Sequence, residues 1–108
     1  MKAARFTIAV AFLLGAHLSV AQSGDAKAGK AVFDKQCATC HGPDGAGKDA
    51  VAKMLKVEMR HLGSKEVQAK SDADIHKIIV EGYNKMKPQK MADKDVANVM
   101  AHLRTLAQ

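Results

Sequence analysis

Cys37-Ala38-Thr39-Cys40-His41 decides how the rest of this sequence is read. Two thiols stand three positions apart, and an imidazole follows at once. On a helical turn, residues i and i+3 project from the same side, so both sulfurs face one neighbour. The chain before the motif supports such a turn. Ala28, Ala31, Val32 and Phe33 fall at helical spacing, which predicts a helix from about Asp25 to Cys40. Ser23 or Asp25 is its candidate cap. After the motif, His41-Gly42-Pro43-Asp44-Gly45-Ala46-Gly47 is too rich in turn formers to be anything but a loop.

Further outward, Lys48 to Lys70 is poorly periodic, with a short helix expected around Ala50–Leu55. A second clear helix opens at Ser71-Asp72-Ala73-Asp74, which resembles a capping box. Ile75, Ile78 and Ile79 share a face there, and Gly82 marks the end. A lysine-rich loop from Tyr83 to Lys90 carries Met86 and Pro88. The last helix is predicted from about Asp93 to Leu106, with Val96, Val99, Met100, Leu103 and Leu106 as its apolar stripe. No strand pattern and no internal repeat appears.

The N-terminus reads as an address. Lys2 and Arg5 form a positive region, Phe6 to Leu14 an apolar one, and Ser19-Val20-Ala21 a small-residue cleavage site. That is the layout of a secretory signal peptide over residues 1–21, cut near Ala21. The apolar run falls short of the roughly 20 residues that span a bilayer. The expectation is a soluble, periplasmic domain over residues 22–108. The 108-residue chain carries +6, which falls to +4 without Lys2 and Arg5. This moderate, spread excess suits docking on acidic protein surfaces. It does not suit nucleic acid, because no dense basic run exists and aromatics are almost absent.

Residues 22–108 hold only 23 apolar side chains larger than alanine, with Phe33 and Tyr83 the only aromatics. Domains this small often need a cofactor, a metal or a disulfide to complete a core. A Cys37–Cys40 disulfide would close too small a loop to help much. The motif itself answers: C-x-x-C-H reads as a c-type haem attachment site. Both thiols reach the vinyl groups of one porphyrin, and His41 is carried beneath the ring to the iron. Two other readings fail on context. A thioredoxin-like pair needs a preceding strand. A zinc site needs a second Cys or His pair, whereas His61, His76 and His102 are isolated.

With these residues in view, the chain resembles the small bacterial monohaem class I cytochromes c. The likeness covers essentially all of residues 22–108. It rests on Gly24-Asp25-Ala26, Gly29-Lys30 and Phe33 before the motif, and on Cys40 to Gly47 after it. It rests also on the Gly82-Tyr83-Asn84-Lys85-Met86-Lys87-Pro88 loop and on Val96 to Leu106 as the last helix. The resemblance implies an all-α cytochrome c fold, three to five helices around one covalent haem c. The N- and C-terminal helices cross closely, with Gly29 permitting the approach and Phe33 packing on the last helix. It implies an electron carrier and not an enzyme, with His41 and a methionine sulfur on the iron. Met86 occupies the family ligand position. Met91, five residues later, is the rival.

Met100 reads as core filler, and Met54 and Met59 as packing around the haem edge. His102 reads as a helix-packing residue, with a bis-histidine iron as the alternative. Redox partner proteins would dock by their acidic surfaces near Lys35, Lys85, Lys87 and Lys90, and a membrane enters only through a partner complex. Two departures stand out. Lys48-Asp49-Ala50 replaces a proline whose carbonyl often accepts the bond from the ligand histidine, leaving the acceptor open. Ala92 replaces a Ser or Thr cap, making Asp93 the candidate cap of the last helix. Two other functions compete with the carrier: a haem-based sensor with an open iron position, and a thiol–disulfide oxidoreductase using Cys37 and Cys40.

Overall fold

A computed structural model describes residues 24–108, together with the isolated positions 3 and 11. The signal-peptide reading therefore lies outside the described residues. Among the described residues six helical segments follow one another: α1 (Ala26–Gln36), α2 (Ala38–His41), α3 (Asp49–Leu55), α4 (Lys65–Gln68), α5 (Asp72–Glu81) and α6 (Asp93–Thr105). Among the described residues the only β-type pairing is an isolated bridge between Tyr83 and Met86. The fold is all-α, as expected. The count exceeds the expected three to five because α2 and α4 are single turns. No described helix is long and apolar enough to cross a membrane.

The molecule is organised by the crossing of α1 on α6, its most extensive helix–helix contact. Asp25 starts α1, accepting from the amides of Lys27 and Ala28. Its own N–H donates to Asn98 Oδ1 at 2.8 Å, so the cap also ties α1 to the middle of α6. Four residues on, Gly29 lies against the α6 backbone. A β-carbon there would overlap the carbonyl of Asn98. Only glycine permits this approach, as the sequence implied. Phe33, one turn further and fully buried, packs with Val96, Val99 and Leu103 of α6 and Ile75 and Ile79 of α5. His102 packs its ring on Phe33 with centroids 5.0 Å apart and planes tilted by 58°.

Three local expectations change. The first helix does not run unbroken to Cys40. It stops at Gln36, Cys37 takes φ −109° as a junction, and α2 begins as a separate turn. Asp93 does not cap α6. Ala92 holds that position without a side-chain bond, and Asp93 and Asp95 sit in the first turn, where carboxylates favour the helix dipole. Ile78 is only half-buried, so the core face of α5 narrows to Ile75 and Ile79. The cap of α5 is as read: Ser71 Oγ accepts from the Asp74 amide at 3.1 Å.

One polar network joins the middle segment to α6. Gln68 Nε2 donates to the carbonyls of Leu62 and Leu103, both at 2.9 Å. Arg104 donates to the carbonyls of Gln68 and Lys70 and to the Asp72 carboxylate. The segment that looked least ordered in sequence is thus fixed mainly by polar bonds.

Candidate functional site

Cys37 is the junction between α1 and α2, and Cys40 and His41 belong to the single turn of α2. The turn is closed by Cys40 and His41 amides donating to the Cys37 carbonyl at 3.2 and 3.0 Å. It stops at Gly42, which takes φ 75°. The following loop folds straight back onto the motif. The amides of Gly47 and Lys48 donate to the carbonyls of His41 and Cys40, at 2.7 and 3.0 Å. The loop is held in turn by the Leu62 amide donating to Gly45 O at 2.9 Å. Sequence spacing and backbone bonding thus put both thiols and the imidazole on one turn, as predicted.

Chemistry at this turn is set by burial. Both cysteines are free thiols and half-buried. Burial pushes the Cys37 thiol up to about 11. A disulfide-exchange nucleophile instead needs a lowered pKa and electropositive surroundings. Among the described residues no strand precedes the motif, and the raised pKa of Cys37 runs against the activated thiolate that the oxidoreductase reading needs. His41 is shifted below the ordinary histidine value by burial, which favours the neutral imidazole that binds metal. Its Nδ1 is buried without a hydrogen-bond partner. Among the described residues no loop carbonyl accepts from it, so the acceptor that the sequence left open is not assigned. Among the described residues no group of three or more His, Cys, Asp or Glu side chains is placed to hold a metal ion.

These features fit a haem. Two free thiols are the reactants for thioether bonds, and an imidazole whose neutral form burial favours is a metal ligand. The donor set is soft sulfur and nitrogen, suited to iron in a porphyrin.

The methionines separate by environment. Met91 and Met100 pack against the apolar core. Met59 lies against Gly47, and Met54 is 72% exposed. Met86 sits in the loop between α5 and α6. Its amide donates to Tyr83 O at 2.9 Å and its carbonyl accepts from the Tyr83 amide at 3.1 Å. Gly82, at φ 80°, opens this loop, and a β-carbon there would lie 2.7 Å from Met86 O and 2.9 Å from Pro88 N. The far end is pinned by the Gln89 amide donating to Ile79 O at 2.8 Å. Sequence reasoning did not foresee this bridge, whose signal was the tight Gly-Tyr-Asn spacing before Met86. Lys35, Lys85, Lys87 and Lys90 are all exposed.

Residues 24–103 match the family described as cytochrome c oxidase, cbb3-type, subunit III. A solved structure, the KustC0563 c-type cytochrome, is similar at 30% identity with a TM-score of 0.64. That match covers 74% of this chain and 98% of the other. No curated protein matches.

Proposed function

Because the chain belongs to the family of cbb3-type cytochrome c oxidase subunit III, a family of haem c proteins, we propose that it is an exported one-electron carrier with histidine and methionine on its iron. The observation that carries this reading is the single α2 turn. It carries Cys40 and the half-buried His41, with the Cys37 thiol at its N-cap, and burial favours the neutral form of that imidazole. Cys37 and Cys40 would hold the haem by thioethers, with His41 as the iron ligand from the adjoining turn. Met86 would supply the second protein ligand. When bound, the haem supplies the one-electron couple of its iron.

The chain's own residues decide what that couple is used for. With both His41 and Met86 holding the iron, no position would be left open for oxygen or substrate, which would favour outer-sphere transfer. A thioether opposite an imidazole raises the potential. The rival Met91 is engaged in core packing, which supports Met86. Exposed Lys35, Lys85, Lys87 and Lys90 steer encounter with acidic partner proteins, an attraction that weakens as salt rises. The signal-peptide reading of residues 1–21 supports export to the periplasm, where haem c is attached.

The test is optical. Oxidised holoprotein should show the weak methionine-to-iron band, and reduced holoprotein should not bind carbon monoxide at neutral pH without denaturant. Ready carbon monoxide binding would sink the six-coordinate carrier and favour the sensor. Met86→Ala should abolish the band.

A further inference from the structure

The loop that carries Met86 closes on itself through backbone alone. Tyr83 and Met86 exchange both amide-to-carbonyl bonds, at 3.1 and 2.9 Å, so Asn84 and Lys85 form a two-residue turn. Asn84 sits in this turn at φ 53°. Together with Lys56 at the end of α3, it is one of only two non-glycine positive-φ residues among those described. Left-handed backbone disfavours residues with a β-carbon, and asparagine is among the few that tolerate it. Asn84 is exposed, and its side chain makes no hydrogen bond among the described residues. Packing therefore does not account for an asparagine here, whereas backbone conformation does.

Taking Met86 as the iron ligand, the reading proposed above, we infer that Asn84 is a positioning residue for it. By holding the left-handed conformation, Asn84 keeps the Tyr83–Met86 bridge closed and presents the methionine to the iron. The flanks of the loop are anchored at Gly82 and Gln89 on the end of α5. The turn is then the part of the loop left to open when the thioether leaves the iron. A residue that resists positive φ disfavours the closed loop and raises the population of the open one. An external ligand that competes with the methionine reports that population directly.

The experiment titrates ferric holoprotein with imidazole, following loss of the methionine-to-iron band, in Asn84→Ala, Asn84→Val and Asn84→Gly. The half-saturating imidazole concentration should fall about tenfold in the alanine and valine variants. In the glycine variant it should stay within about threefold of the parent, since glycine adopts the conformation freely. If valine prevents assembly of holoprotein, alanine carries the comparison. The urea midpoint is measured in parallel. A lowered midpoint with unchanged imidazole affinity would mean a purely structural turn and overturn the inference. Equal shifts in all three variants, glycine included, would overturn it too, by assigning the effect to the asparagine side chain. Met86→Ala separates the two levels of the argument. If it abolishes the band while alanine and valine at 84 change nothing, only the role of Asn84 fails. If the band survives, the ligand assignment fails and the positioning role with it.

Discussion

His102 shows what a single side chain costs when it is chosen for shape. Its ring fills the gap between α6 and Phe33, and the residue is 6% exposed, with Nε2 buried and unpartnered. Burial, reinforced by Lys30 and opposed by Asp34, moves its pKa below the ordinary value of 6.5. The unfolded chain therefore binds this proton more readily than the folded one. Stability is fully present above about pH 6.5 and falls as pH drops below it towards the lowered folded pKa. His102→Phe should remove this part of the slope, visible as a flatter dependence of urea midpoint on pH between about 6.5 and 5. An unchanged slope would mean that other groups carry it. Met91 makes the complementary case. It packs half-buried on the core, so Met91→Ala should cost about 1–3 kcal/mol, at or below the range for fully buried methionines. It should leave the methionine-to-iron band intact.

At the scale of elements, the α1–α6 crossing and the middle segment are held by different means. The crossing depends on Gly29, whose place against Asn98 O leaves no room for a methyl group. Gly29→Ala should destabilise by more than about 3 kcal/mol, beyond ordinary overpacking, because the obstacle is backbone and cannot rotate away. Urea unfolding of the holoprotein measures it. The middle segment depends on Arg104, which bonds two carbonyls and the Asp72 carboxylate. Arg104→Met keeps the stem and removes the bonds. It should cost about 1–3 kcal/mol and increase protease cleavage between residues 60 and 72, with the α1–α6 contact unaffected.

This contrast also explains what could be read from the sequence. The α5 and α6 faces follow apolar periodicity, so Ile75, Val96, Val99 and Leu103 were visible at once. Gly29 was legible through family likeness. The single turn α4 was not, because four residues carry no period. The break at Cys37 was not legible either, because no glycine or proline marks it in the sequence. The bond from Gln68 to Leu103 spans 35 positions, and no local pattern announces it. Of the site, the C-x-x-C-H turn was plain because spacing alone specifies it. The Tyr83–Met86 bridge was not, because positive φ at Asn84 leaves only a faint trace in residue choice.

For the whole molecule, the amount of core decides how the protein depends on its cofactor. The buried apolar cluster has six members, drawn from α1, α5 and α6 only. The helix α3, the single turns α2 and α4, and the Met86 loop contribute no fully buried large apolar side chain. Local backbone bonds shape these parts, but little apolar burial holds them against the α1–α5–α6 core. A domain of this size has little stability in reserve, and a ligand bound only by the folded state adds stability through linkage. Covalent haem reaching from α2 to Met86 would join the weakly packed parts to one another. The chain carrying Cys37→Ala and Cys40→Ala, which cannot hold haem covalently, should then lose cooperative unfolding. Its helical circular dichroism should fall well below that of the holoprotein, with most loss outside α1 and α6, where hydrogen exchange should be fastest. A native-like spectrum with a sharp thermal transition would show instead that the six-residue core suffices, and that haem is a passenger on a preformed fold.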